Sequence, residues 1–240
     1  MVLWSSVILL AIAAFAVSLV VYMPARFAAQ QAGLGAMADR VSGTLWTGAA
    51  QLDGAHRVAW ETSALESLRR MTVVVNWRLT GPGTDLAGRV AVPLPPRADR
   101  AELDRVDGTV SWPMVEAVLL GLQIRCNTQA TITGLRVSLT PGLRTGEGSL
   151  AAPAGTCART DGAVAPVPTP ALALILTSDA DGLVGVLTQA GEPEVPLATG
   201  RLSNDNRIIV TIHAAGAALV PGMPSSADSE IELPLSALFP

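Results

Sequence analysis

Lysine is missing from the sequence: all sixteen basic residues are arginine, an exchange of one cation for another that carries no functional information by itself. Histidine occurs only at His56 and His213, and cysteine only at Cys126 and Cys157. Neither histidine has a second ligand at a metal spacing, and the cysteines lack the C-x-x-C pattern, so a zinc or dithiol redox centre is excluded. There is no G-x-S-x-G elbow, no phosphate-binding P-loop, and no G-x-G-x-x-G between a strand and a helix. The glycines of GLGAMAD follow a membrane-length segment, the wrong context for a nucleotide. Glu192 and Glu194 flank Pro193 in GEPEVP, which reads as an exposed loop. Asp179, Asp181 and Gly182 lack the trailing glutamate of a calcium loop and read as a β-turn. No catalytic, cofactor-binding or metal-binding residue is expected, and the chain is read as a non-enzyme without cofactor. Charge is scarce as well, at 15% of residues and a net −4. Phosphate binding needs clustered positive charge, and the pair Arg69–Arg70 is too small a cluster, so nucleic acid is excluded as a partner.

What the chain has is apolar mass: half of its residues are hydrophobic. The stretch Val2–Met23 carries no charged side chain and matches the roughly 20 residues that a helix needs to cross a bilayer. Trp4 and Tyr22 stand at its ends, where amphipathic rings favour the headgroup zone. A cleavable signal has a positive amino end and an apolar core of about 7–15 residues, neither of which fits. The only Ala-x-Ala nearby, Ala36-Met37-Ala38, lies well beyond the apolar run. The expected organisation is an uncleaved anchor over 1–24, a juxtamembrane linker over 25–40 and a folded domain over 41–240. Orientation is open on these grounds. Arg26 and Arg40 after the span favour a cytoplasmic domain, yet long domains translocate largely regardless of flanking charge. Two cysteines suit either a disulfide in an oxidising compartment or two separate buried thiols.

From Val41 onward the apolar residues recur with period two. Val73, Val75, Trp77 and Leu79 share one face of a strand; Val90, Val92 and Leu94 another; then Val106, Val110 and Trp112; Leu135, Val137 and Leu139; Ile208, Val210 and Ile212; and Ile231, Leu233 and Leu235. Two short helices interrupt them. Ser63-x-x-Glu66 has capping-box spacing, and Ser111 followed by Pro113 opens a helical stripe of Val115, Val118, Leu119 and Leu122. Residues 151–171 read as loop and mark a point where the domain could subdivide. The strands are too many for one flat sheet. The expected fold is mainly β: a transmembrane helix followed by a curved antiparallel sheet, a groove or partly open barrel, with one or two short helices.

Four of the five tryptophans, Trp46, Trp60, Trp77 and Trp112, fall between 46 and 112, placed either to fill a curved sheet or to line an interface. The first sits in VSGTLWTGAA, directly after the span. With W-E-T-S-A-L-E-S-L, V-N-W-R-L and the later G-E-G-S-L…C…D-G stretch, this segment resembles the type II secretion system protein N family over roughly residues 1–160. The matching positions are Gly43, Thr44, Leu45, Trp46, Gly48, Trp60 and Trp77, with Leu79. The resemblance implies a single-pass protein of the bacterial inner membrane, its β-rich domain in the periplasm, with other secretion-system subunits as partners. It also implies the oxidising side of that membrane and hence a Cys126–Cys157 disulfide. The alternative, motivated by the one-faced apolar strands, is an AsmA-like β-groove that binds or transfers lipid.

Overall fold

A computed structural model describes residues 18, 22–26, 38–52, 55–93, 100–118, 124–162, 165–220, 223 and 226–234. Most of the expected span over Val2–Met23 and of the linker over 25–40 lies outside the described residues, and the last three residues expected as linker, 38–40, belong to the first strand. Among those residues no helix is long and apolar enough to cross a membrane.

The chain runs β1 (Ala38–Gly43), β2 (Thr47–Leu52), β3 (His56–Thr62), α1 (Ala64–Arg70), β4 (Thr72–Gly81), β5 (Thr84–Pro93) and β6 (Ala101–Ser111). It continues with α2 (Trp112–Val118), β7 (Ile124–Cys126), β8 (Gln129–Thr140), β9 (Leu143–Ala152), β10 (Gly155–Arg159) and β11 (Val167–Thr169). The last elements are β12 (Leu172–Asp179), β13 (Gly182–Gln189), β14 (Glu192–Ser203), β15 (Arg207–Ile212), α3 (Ala214–Ala217) and β16 (Ser229–Pro234). Among the described residues, thirteen strands form one antiparallel sheet in the order β1-β2-β3-β4-β5-β6-β8-β9-β12-β13-β14-β15-β16, and β11-β10-β7 form a small second sheet. The large sheet is open, with β1 and β16 as its edges.

Strand pairing carries the period-two pattern across the whole sheet. Val73, Val75, Trp77 and Leu79 stand opposite Val92, Val90, Gly88 and Leu86. Leu103 faces Val137, and Val106 faces Leu135. Beyond β9, Leu174 pairs with Leu150 and Leu187, and Leu202 pairs with Leu183 and Ile208. Along β8 the other face carries Thr131, Thr133 and Arg136, all exposed. A half-buried side chain on one face and a wetted one on the other is what alternation produces in a one-sided sheet. A cluster of buried apolar side chains lies where α2 covers one end of the apolar face. There Leu79, Leu86, Val106, Val110 and Met114 are buried together, with Leu52, Val58, Trp77, Ile132 and Leu135 against them.

The sheet curls, and Arg144 shows how strongly. Adjacent strands lie about 4.8 Å apart, so a flat sheet would put β9 and β14 about 14 Å apart. Arg144 of β9 nevertheless donates from Nη2 to Asn206 Oδ1, and its backbone N–H donates to Asn204 Oδ1 at 2.8 Å, both in the β14–β15 turn. Its guanidinium is almost fully buried, and Nη1 also donates to the carbonyl of Thr140.

Both helices form where the pattern predicts, and α1 does so without the predicted side-chain cap. Ser63 makes no side-chain cap bond. Its hydroxyl instead accepts a bond from Asn76 Nδ2 at 3.1 Å, while Glu66 bonds Arg89 at 3.0 Å. Ser111 closes β6, where its backbone N–H donates to Thr84 Oγ1 at 3.1 Å and the two hydroxyls lie 2.9 Å apart. Trp112 opens α2 and is not a strand residue; its indole N–H donates to the carbonyl of Ile124 at 2.8 Å. Leu94, Leu119, Leu122 and Leu235 lie outside the described residues. Residues 151–171, expected as loop, carry the end of β9 together with β10 and β11, and Glu192 and Glu194 sit at the start of β14. Beyond these insertions β9 pairs directly with β12, so the main sheet runs on without a break. Short polar strands between prolines give too little periodicity to be read as strands.

Candidate functional site

The motif after the predicted span forms a turn, a glycine-lined shelf and a row of rings. Thr44 closes the turn between β1 and β2: its N–H donates to Thr47 O at 2.8 Å, and its hydroxyl accepts from the N–H groups of Trp46 and Thr47. Gly43 adopts φ +92°, a left-handed conformation that costs a side-chain-bearing residue more than glycine. Gly48 is opposite Trp60, Trp60 is opposite Trp77, and Trp77 is opposite Gly88, so four neighbouring strands contribute one row. Each ring lies over its neighbouring glycine. A Cβ built on Gly48 would stand 2.3 Å from the Trp60 ring, and one on Gly88 would stand 2.9 Å from the Trp77 ring. Trp60 also donates its indole N–H to the carbonyl of Thr44 at 3.3 Å. Trp60 and Trp77 are half-buried within the sheet, and their ring contacts are internal.

The same turn meets the end of the predicted span. Pro24 bridges to Thr44, and the Leu45 N–H donates to the carbonyl of Met23 at 3.0 Å. On its far side the turn holds β3: Thr62 donates from its hydroxyl to the Leu45 carbonyl at 3.0 Å and from its N–H to the Trp46 carbonyl at 2.6 Å. Gly43, Thr44, Leu45, Trp46, Gly48, Trp60 and Trp77 are thus brought together, at the place where the chain enters the sheet.

The outer face of the sheet is tied by arginine forks. Arg78 meets Asp85 through Nε and Nη2 at 2.9 and 2.8 Å, and Arg201 meets Asp179 at 2.9 and 2.7 Å. Arg136 bridges Asp104 at 3.1 Å and Glu147 at 2.6 Å. Such two-toothed contacts use the planar guanidinium in a way a lysine ammonium cannot. Arg78 and Arg201 hold the Asp85 and Asp179 carboxyls below their ordinary range by hydrogen bonding.

His213 has no second ligand at a metal spacing in the sequence, yet it sits in a polar row. Its Nδ1 lies 2.9 Å from Asp228 Oδ2 and its Nε2 lies 3.3 Å from Thr199 Oγ1, while Ala214 N–H donates to Asp228 Oδ1 at 3.0 Å. The order hydroxyl, imidazole, carboxylate is that of a hydrolytic triad. Thr199, however, stands inside β14 between Val186 and Thr211, with its backbone committed to both neighbouring strands. The row fastens α3 and the strand after it to the sheet. Its members lie 14 and 15 residues from His213, and no sequence spacing marks them. His56 is buried, its ring lying over Gly81. Among the described residues no group of three or more metal-ligating side chains converges. Cys126 and Cys157 are joined in a disulfide between β7 and β10, the middle of the small sheet.

A family model described as type II secretion system (T2SS), protein N matches residues 35–226. The chain belongs to this family. No curated protein and no solved structure matches it. The protein N match begins just before β1 and runs past α3, so it takes in the large sheet up to β15 and both ends of the disulfide. It therefore extends beyond the first 160 residues that carry the sequence resemblance, and leaves the first 34 outside. Membership makes this chain a component of a type II secretion system, in a family not known for enzymes.

Proposed function

We propose that the protein is a non-enzymatic inner-membrane component or assembly factor of the type II secretion machine. In this reading residues 1–24 anchor it, 25–40 link, and 41–240 work in the periplasm. The observation that carries the reading is the protein N match over 35–226, on a sheet whose motif residues are spent on structure rather than chemistry. The Cys126–Cys157 disulfide supports an oxidising compartment. Contact with other subunits would use β1 and β16, the outermost strands of the sheet among the described residues, as templates for strand addition. Purification of the full chain from membranes in mild detergent should bring other secretion subunits with it, and recovery of none would defeat the reading.

A second reading rests on a separate observation. The apolar face is half-buried over most of its length, from Val73 and Val75 through Val137 and Leu174 to Ile208, with α2 covering one end of it. A curled sheet of that kind suits an acyl chain, as in AsmA-like proteins. Native mass spectrometry of the purified protein should then show bound lipid, and Val73→Glu or Val75→Glu should abolish it; a lipid-free spectrum from the unaltered protein would remove this reading.

A further inference from the structure

The helix α1 is built the wrong way round for a soluble domain. Ser67 faces the sheet, buried, and its hydroxyl accepts the Val74 N–H at 2.9 Å. Glu66 is held down by Arg89 at 3.0 Å and Arg70 at 3.2 Å. Leu65 and Leu68, with Met71 just after the helix, point away, 69%, 74% and 68% exposed. Arg69 is exposed beside them. Leucines three apart, with arginine at their flank, form an apolar and basic face that is left exposed among the described residues.

Its position says what covers it. The hairpins alternate between two ends of the sheet. One end carries the Thr44–Trp46 turn, α1 and the Thr140–Leu143 turn; the other carries α2, the disulfide sheet and α3. Met23 and Pro24 bond to Leu45 and Thr44, Leu45 and Trp46 bond to Thr62, and Ser63 leads directly into α1. Two backbone steps therefore separate α1 from the last residues of the apolar segment Val2–Met23. Of the eight strongly exposed large apolar side chains among the described residues, Tyr22, Leu65, Leu68, Met71 and Leu143 all lie at this end. Asp181 and Asp205 occupy turns farther along it and stand near Arg201 and Arg207, which limits the contact to the part around β1–β5.

We propose that the outer face of α1, with Leu65, Leu68, Met71 and Arg69, lies in the anionic surface of the bilayer from which the chain emerges. The inference rests on the anchored reading above. An interfacial helix sinks its apolar side about 5–10 Å into the headgroup and acyl boundary while its arginines meet lipid phosphates. The contact would fix the tilt of the sheet on the membrane, so that the disulfide end points away from it.

The test uses the full chain in vesicles of phosphatidylethanolamine and phosphatidylglycerol. Both native cysteines are in the disulfide, so Leu68→Cys offers a single thiol for an environment-sensitive fluorophore; Glu192→Cys, at the opposite end, is the reference. The Leu68 probe should be quenched by nitroxides on the lipid, at a depth of about 5–10 Å from the boundary, and protected from aqueous iodide. The Glu192 probe should show the reverse. Adding Arg69→Gln should lower the ratio of membrane-buried to water-exposed Leu68 probe about five-fold. Alkaline carbonate extraction of the same vesicles separates the two claims. A chain that resists extraction while its Leu68 probe stays in water keeps the anchor and overturns the helix contact. A chain released by carbonate overturns both. A probe shielded only after another secretion subunit is added assigns the face to a protein, and overturns the proposal.

Discussion

Gly48 and Gly88 leave empty the space into which Trp60 and Trp77 lay their rings, and this is the physical content of the tryptophan-rich motif. A Cβ on Gly48 would meet the Trp60 ring at 2.3 Å and also the Ser42 carbonyl at 2.7 Å, so it has backbone as well as a ring to push aside. Gly48→Ala should therefore destabilise the protein by about 1–3 kcal/mol, the usual cost of overpacking. Gly200→Ala makes the comparison clean. Its Cβ meets nothing within 4 Å, so the change should be neutral or raise stability by about 0.4–1 kcal/mol through the unfolded chain. Urea denaturation followed by tryptophan emission reads both. If the two alanines behave alike, the ring-over-glycine account is wrong. Residues of this kind were half legible in the sequence. The motif announced itself by position, but which glycine serves which ring depends on strand register, which pairs residues 11 to 17 apart.

At the scale of elements, strands were legible and caps were not. Alternation along MTVVVNWRLT or LRVSL is written locally, because one face of each strand is buried along its length. A cap depends on whether its hydroxyl has a better partner elsewhere, and here Asn76 supplies one for Ser63. The small sheet of β7, β10 and β11 was illegible for another reason: three to five residues each, with no apolar alternation, are held by a covalent link rather than by an apolar face. That explanation carries its own expectation. Cys126 and Cys157 are separated by 31 positions, and the chain-entropy cost of leaving such a loop unclosed is about 3–4 kcal/mol. Reduction, or Cys157→Ser, should raise amide exchange across 124–126 and 155–159 to near the rate of open loops. Exchange in β4, β5 and β8 should change little, because their pairing does not pass through the disulfide. Equal loss of protection in both sheets would show that the small sheet is integral to the large one.

Over the whole molecule, two surfaces divide the labour: an apolar face that curls inward, and an outer face laced by arginine and carboxylate. Asp85 is held below the ordinary carboxylate value of 3.8 by hydrogen bonding to Arg78, Asp179 by Arg201, Asp205 by the Ser203 hydroxyl and Asp228 by His213. Each therefore binds a proton more weakly in the folded chain than in the unfolded one. The sign follows: stability from these groups is present in full above 3.8 and is lost as pH falls through the lowered values. All four are exposed and individually worth little. Their spread from Asp85 on β5 to Asp228 just before β16 makes the effect global rather than confined to one hairpin. The urea midpoint should stay level from neutral pH down to about 5, then decline below about 4 as the unfolded chain takes up protons that the folded one refuses. Arg201→Gln, which removes the fork on Asp179, should flatten that decline without moving the apolar core. A midpoint that holds steady down to pH 2, or an Arg201→Gln profile that keeps the full slope, would mean the forks are ornaments of a sheet held together by its apolar face alone.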